Sequence, residues 1–393
     1  MGILDGFRIL DFTQHQAGPY GTALLADFGA DVIKIERPGG DPARTNHPKV
    51  EGVNAFFLAN NRGKRALCLD LSKPAAVDVA HRLARDADAL VHNLKPGAME
   101  KIGLGYEQVK PLNPRLVYAA ASTFGPNGPR RSLTGVDLVA QAESGIMSVT
   151  GLENGDALPV GAAIADAIGG INLAFAVVSA LLARERTGKG QEVHVSLVGG
   201  LLGIQAWELQ HYLLARELPP RGGRSHPLIK TLWQSFPARD GSFVVAEVKD
   251  SWAGICRAIE QPELERDERF DRVGRRLKNR GALLEILDRA FRQWTVAECV
   301  ERLREHAVLA APVRTYADIA ADPDVRANGY IQPLDHPEKG PMQTPGPFLH
   351  FSETPAAVRS AAPEIGQDTD RVLGEAGYSG EEIRRLREGG VVL

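Results

Sequence analysis

Three groups of residues in this chain combine side chains able to do chemistry with a place at the edge of a regular element. The first is Gln14-His15-Gln16-Ala17-Gly18-Pro19, directly after the apolar run Ile9 to Phe12. Amide side chains and a tight turn at a strand's carboxyl end leave backbone N–H groups able to face an oxyanion. A solvated turn with an ordinary loop histidine fits the same residues. The second group is a scatter of cations: Arg37 after Val32–Ile35, then Asn61-Arg62-Gly63-Lys64-Arg65, then Asn93-Leu94-Lys95-Pro96-Gly97, and Lys101. Cations from separate strand-end loops suit a phosphorylated ligand, with Gly63 and Gly97 admitting close backbone approach. The competing reading is that loops of any soluble protein carry Lys and Arg. The third group is Gly161-Ala162-Ala163-Ile164-Ala165-Asp166-Ala167-Ile168-Gly169-Gly170, a lone acid opening a long apolar helix. The helix dipole and unpaired N–H groups there keep a carboxylate ionised and nucleophilic. An N-capping aspartate is the commoner role, and the two coexist only if one oxygen stays free.

These groups need elements to hold them. Arg8–Phe12 reads as a strand, Gly18-Pro19 as a turn, Thr22–Phe28 as a helix stopped by Gly29, and Val32–Ile35 as the next strand, a compact βαβ unit. The alternation repeats with a helix from Ser72 to Leu83 and strands at Ala89–His92 and Arg115–Tyr118. Continuous apolar strands imply a parallel sheet covered on both faces, and such sheets bind ligands at the carboxyl ends of their strands. Asp166–Arg186 reads as a helix and Gln191–Leu197 as a strand. Pro219 to Arg224 resembles a linker, and a strand at Ser242–Val248 with helices at Ala282–Trp294 and Val296–Glu305 follows it. The fold expected is α/β: an open parallel Rossmann-like sheet in a large domain, with a smaller α+β domain.

Composition narrows the function. The 46 basic and 49 acidic residues nearly cancel to −3, which argues against a nucleic-acid or anionic-membrane coat. The apolar run Leu173–Ala183 is short of the roughly 20 residues a bilayer crossing takes, so it is expected to be a core helix. Three scattered cysteines form neither a disulfide framework nor a metal knuckle, so no metal site is expected and the cytoplasm is the expected compartment. No G-x-G-x-x-G follows a strand, no G-x-S-x-G occurs, and there is no H-E-x-x-H or C-x-x-C. A parallel α/β protein without those signatures needs another chemistry.

The chain resembles the family III CoA-transferases, which include formyl-CoA transferase and share a fold with α-methylacyl-CoA racemases. The likeness runs through Leu10-Asp11-Phe12-Thr13 with Gln16 to Pro19, Asp31 to Pro38, Asn61 to Arg65 ahead of Leu69-Asp70-Leu71, and Asn93 to Gly97. It continues through Gly135-Val136-Asp137 with Gln141-Ala142, the Asp166 segment, Arg186 to Gln191, Ala311 to Arg314, and Gly366 to Thr369. The resemblance implies that Asp166 is the catalytic aspartate. It would attack an acyl-CoA thioester to give a mixed anhydride, then an aspartyl-CoA thioester from which CoA passes to a second acid. It implies that Gln16 and Ala17 hold the reacting groups, and that Arg37, Asn61, Arg62, Gly63, Lys64, Asn93, Leu94, Lys95 and Lys101 contact CoA. It also implies that the CoA thioester is substrate and not a resident cofactor, with a free carboxylic acid as the second partner.

A further expectation from the resemblance is an interlocked homodimer. The large domain would take residues 1–200, with a linker at 201–226, a small domain at 227–317, and a return to the large domain over 318–393. A racemase or epimerase of the same fold is the alternative. It needs a histidine in a Gly-His-Asp setting, where this chain has Gly135-Val136-Asp137, and valine moves no proton. Some relatives close a glycine run over the aspartate; the matching stretch here, Arg221 to Lys230, offers Gly222-Gly223 and then Arg224-Ser225-His226. Arg224 or His226 would suit a second substrate carboxylate, although a solvent-facing linker arginine is the simpler expectation.

Overall fold

A computed structural model of the chain describes every residue except His47, Lys230, Lys249 and Asp250. The end of the Arg221–Lys230 stretch therefore lies outside the described residues. The chain divides into two compact units. One takes residues 1–144, 160–205 and 323–393, and the other takes 145–159 and 206–322.

The first unit is built on a six-stranded, wholly parallel sheet of β1 (Arg8–Asp11), β2 (Asp31–Glu36), β3 (Arg65–Cys68), β4 (Ala89–His92), β5 (Val117–Ser122) and β6 (Glu192–Ser196). Its order is β3-β2-β1-β4-β5-β6, so the chain winds outward in both directions from the β1–β4 pair. Helices α1 (Ala17–Asp27), α2 (Ala55–Asn61), α3 (Pro74–Arg85), α4 (Asp137–Glu143), α5 (Ile164–Thr187) and α6 (Leu197–Ile204) belong to this unit, with Thr369–Glu375 and Gly380–Glu388 near its end. Alternate residues of one strand feed different cores. Ile9, Val32, Val91 and Ala119 pack with α1 and α5, whereas Leu10, Ile33, Leu90 and Tyr118 pack with α3 and the chain's last helices. Both faces are covered, as continuous apolar strands require.

The packing of α1 on α5 is closest at glycines. A Cβ on Gly170 would lie 2.7 Å from the Ala17 carbonyl oxygen and 2.9 Å from the Tyr20 ring, and one on Gly21 would lie 2.7 Å from the Gly170 carbonyl oxygen. The two backbones touch, and the pairing of 17 with 170 and 21 with 170 and 173 makes the helices parallel. Leu173, Val177 and Leu181 continue the buried stripe of α5 at helical spacing, while Phe175 and Leu182 point outward.

Several expectations shift. Gly18-Pro19 is not a turn but lies in the first turn of α1, where proline's missing donor costs nothing. Ser72 does not cap α3; its hydroxyl donates to Asp70, and Pro74 opens the helix after Lys73. The strand expected at Arg115–Tyr118 begins at Val117 and runs to Ser122. At 24 residues, α5 is long and apolar enough by composition to cross a membrane, more than its eleven-residue apolar run indicated. The stretch 201–226, read as linker from its Pro/Gly end, holds the end of α6 and a further helix.

The second unit carries that helix, α7 (Ala206–Ala215), and an antiparallel sheet of β7 (Trp233–Pro237), β8 (Ser242–Ala246) and β9 (Leu309–Pro312). Around it stand α8 (Trp252–Ala258), α9 (Arg280–Phe291) and α10 (Val296–Glu305). Its core centres on Phe236, Phe243 and Phe291, with Trp252, Phe270 and Leu287.

Gly170→Ala is expected to cost about 1–3 kcal/mol by overpacking the α1–α5 contact. Gly374→Ala, where an added Cβ meets nothing within 4 Å, is expected to be neutral or slightly stabilising. Urea unfolding of the two variants checks this, and equal midpoints would remove the contact as a constraint.

Candidate active site

The sheet reverses its winding between β1 and β4, and the loops leaving their carboxyl ends are Thr13–Gln16 and Asn93–Gly97. A doubly wound sheet opens a crevice at that point. Asn93 joins the two loops: its Oδ1 accepts from the Gln14 N–H and its Nδ2 donates to the Gln14 carbonyl, both at 2.8 Å. From below, the buried Lys34 ammonium donates to the Thr13 carbonyl and to Asp41, each at 3.0 Å. Asp41 in turn accepts from the His15 N–H at 3.2 Å. His15 sits at φ 65, left-handed backbone that a non-glycine residue adopts only when its surroundings impose it. Gln16 follows as the N-cap of α1, yet its side chain makes no capping bond.

Asp166 lies in the first turn of α5, half-buried. It is not the cap. The N-cap position is Ala163, and the Ala165 and Asp166 N–H groups donate instead to Asp137 Oδ1, at 2.7 and 3.1 Å. Among the described residues, no donor reaches the Asp166 carboxylate. Burial, and then the Asp137 carboxylate beside it, push Asp166 up to about 6. Gly169 and Gly170, one turn further on, carry the contact with Ala17, so the start of α5 lies beside the start of α1 and the Gln16 loop.

A cleft of about 430 Å³ opens next to this arrangement. It is lined by Gln14 and His15, by Asn93 to Pro96 with Ala98, by Ala121 to Thr123, and by Leu133 to Val136. Val136, 66% exposed, is the residue before Asp137. Leu94 and Lys95 therefore face the same cleft as the β1 loop.

The expected cations separate into two sets. Arg37, Lys95 and Lys101 are exposed near the carboxyl ends of β2 and β4. Asn61, Arg62 and Lys64 are buried, which corrects the expectation that they line a ligand-facing loop. Lys64 pairs with Asp11 at 2.9 Å and donates to the Pro19 carbonyl and to Asn61. Arg62 pairs with Asp27 at 2.6 Å, and the Asn61 amide also donates to the Phe57 carbonyl. Gly63 has φ 75 and its N–H donates to the Ser360 carbonyl. A buried charge is tolerated only when paired, so these side chains are committed inside the protein. Asn93 is likewise engaged by Gln14. In the second unit, Arg224 bonds both oxygens of Asp288 at 3.1 Å, and His226 meets Glu208 at 2.7 Å while stacking on Trp207. Neither side chain stands unpaired to await a carboxylate.

Sequence reasoning missed Asp137 and its partner Gln141. Both stood in the motifs that carried the resemblance, but a cap supplied from 28 residues away has no local signal.

The sequence pattern of CoA-transferase family III matches residues 4–369. The chain belongs to that family. It is 37% identical to the succinyl-CoA:mesaconate CoA-transferase of Haloarcula hispanica, over 96% of this chain and 97% of that protein. It is 32% identical to the human succinyl-CoA:glutarate CoA-transferase, over 99% of this chain and 90% of that protein. A crystal structure of a CAIB/BAIF family protein from Brucella suis superposes with a TM-score of 0.87 at 34% identity, covering 95% of this chain and 99% of that one. These findings support CoA transfer between carboxylic acids as the activity of this family III CoA-transferase.

The raised Asp166 carboxyl has a consequence for stability. Its folded pKa, about 6, exceeds its ordinary 3.8, so folding favours the protonated form, and Asp166 costs stability increasingly as pH rises through that interval. Asp166→Asn is expected to be more stable than the parent by about 1–3 kcal/mol at pH 8, the gain fading near pH 4. Denaturant unfolding at the two pH values checks this; a variant less stable at pH 8 would contradict it.

Proposed function

We propose that this transferase moves CoA between carboxylic acids by covalent catalysis at Asp166. The observation that carries the reading is a helix-terminal carboxylate with no donor on it among the described residues, on a helix capped by Asp137 and placed beside the Gln16 loop. One Asp166 oxygen attacks the donor thioester carbonyl, and the carbon–sulfur bond breaks to leave CoA thiolate and an aspartyl–acyl anhydride. The thiolate attacks the aspartyl carbonyl, giving aspartyl-CoA thioester and releasing the donor carboxylate. The acceptor carboxylate attacks that thioester, forming a second anhydride and thiolate. Thiolate attack on the acceptor acyl carbon yields the new acyl-CoA and restores Asp166. Each step exchanges one acyl bond for another, so the thioester's free energy is conserved.

In this reading Gln16, with its amide unclaimed by capping, steadies the developing oxyanion, and the Ala17 N–H lies at the start of α1 for the same purpose. Leu94 and Lys95 in the cleft, with Arg37 and Lys101 at the sheet's edge, receive the CoA chain and its phosphates, and the paired cations Arg62 and Lys64 act through the scaffold. Racemisation finds no second proton carrier at Val136. The relatives' names direct the substrate choice to succinyl-CoA as donor and a short dicarboxylate as acceptor.

We also propose a homodimer, interlocked as the resemblance implies. Phe175, 73% exposed on α5, with Leu202 and Ile204 on α6, and Leu214, 78% exposed on α7, leave apolar surface that water does not favour. Light scattering on the purified chain is expected to give twice the monomer mass, and a monomer at micromolar concentration would reject the dimer.

For the chemistry, Asp166→Ala is expected to lower exchange between succinyl-CoA and glutarate or mesaconate by at least 10⁴-fold with CoA affinity nearly unchanged. Intact mass after succinyl-CoA addition is expected to show a CoA adduct on the parent and none on the variant. Exchange at parental rates in Asp166→Ala would remove the mechanism.

A further inference from the structure

Helix α5 begins without a capping residue of its own. Ala163 offers no side-chain acceptor, and the next residue able to supply one is Asp166, the residue read above as the nucleophile. A first-turn carboxylate in that position is ordinarily drawn back onto the N–H groups of its own helix. Here that demand is met from outside. Asp137 Oδ1 takes the Ala165 and Asp166 N–H groups, and Asp137 Oδ2 accepts from Gln141 Nε2 at 2.6 Å. Gln141 is fixed in turn, its Oε1 accepting the Val160 N–H at 2.9 Å. A chain of bonds from Val160 through Gln141 and Asp137 therefore holds the first turn of α5.

We propose that Asp137 is the positioning residue of the aspartyl nucleophile: it satisfies the first-turn N–H groups of α5, so that the Asp166 carboxylate stands unbonded toward substrate. The inference rests on the reading of Asp166 as the nucleophile. Asp137 also bears a charge of the same sign as the group it serves. The start of α1 presents Gln16 and Ala17, α6 carries no ionisable residue, and the other acid of α4, Glu143, pairs with Arg130 at the surface. Asp137 is thus the charge that acts on Asp166, adding to burial in the same direction and making the carboxylate more basic. A more basic carboxylate is the stronger nucleophile toward a thioester carbonyl.

Two variants separate the capping bond from the charge. Asp137→Asn keeps an oxygen acceptor for the two N–H groups but removes the charge and the acceptor for Gln141 Nε2; Asp137→Ala removes all three. The readouts are the rate at which a CoA adduct appears on the chain after succinyl-CoA is mixed in, its dependence on pH from 5 to 8, and KM for succinyl-CoA. The expected result is a roughly 10²-fold slower adduct rate for Asp137→Ala with KM changed by less than about threefold, because misplacing a reacting group affects the chemical step. Asp137→Asn is expected to lose about tenfold and to move the acid limb of the profile from near pH 6 toward the ordinary carboxylate range. If Asp137→Ala does not fold, Asp137→Asn decides alone. Parental rates and an unmoved acid limb in the folded variants would overturn the inference while leaving Asp166 in place. A parent that forms no adduct would overturn the nucleophile reading and this inference with it.

Discussion

The contact between α1 and α5 is the constraint from which the rest of the candidate site follows. Two helices meet backbone to backbone at Gly21 and Gly170, and they run parallel, so their amino-terminal ends come to the same place. Gln16 ends the loop from β1 and Asp166 stands in the first turn of α5. Any side chain larger than hydrogen at Gly170 would push α5 off Ala17 and carry Asp166 with it. The glycines are thus a length specification for the distance between Gln16 and Asp166. The same parallel arrangement turns the positive ends of two helix dipoles toward one region, where negative charge is best tolerated.

A second constraint is the buried electrostatic frame beneath the loops. Lys34, Asp41, Lys64 and Asp11 are almost wholly buried and joined by ion pairs near 3 Å. Exposed pairs contribute little, but breaking one of these would strand a charge in the interior, so the geometry is enforced. Their bonds to the carbonyls of Thr13 and Pro19 and to the His15 N–H hold a surface loop as firmly as a core element. The left-handed His15 backbone is the visible sign of that enforcement. The buried Lys34 and Lys64 serve here as struts, whereas Arg37, Lys95 and Lys101 stay exposed.

The Asp137–Asp166 pair shows a tension between folding and reactivity. Two carboxylates near one helix end are unfavourable for stability, since burial and like charge both resist ionisation of Asp166. The dipole and N–H groups of α5 offset part of that cost through Asp137, which takes the capping bonds. A single carboxylate doing both jobs would be more stable and less available. Division of the two roles between α4 and α5 is the arrangement expected where a group must stay reactive.

The alternation of apolar strands with helices made the parallel α/β fold legible, because continuous Val, Ile and Leu runs have no stable place except a sheet covered on both faces. Asp166 was legible as a candidate because a lone acid among alanines and glycines at a helix start is a local pattern. Its freedom from capping was not, since the substitute, Asp137, arrives from another helix through tertiary packing. The burial of Arg62 and Lys64 was not legible either: residue type reveals charge but not burial, and burial depends on where Asp27 and Asp11 come to lie. The helix α7 within the supposed linker escaped because a Pro/Gly run dominates composition nearby, while helix formation there is decided by the residues before it. Residue types and their periods thus determined the elements and which groups are able to react. Only the tertiary structure decided which charges are spent inside the protein and which stay exposed, because that follows from distances between segments far apart in the chain.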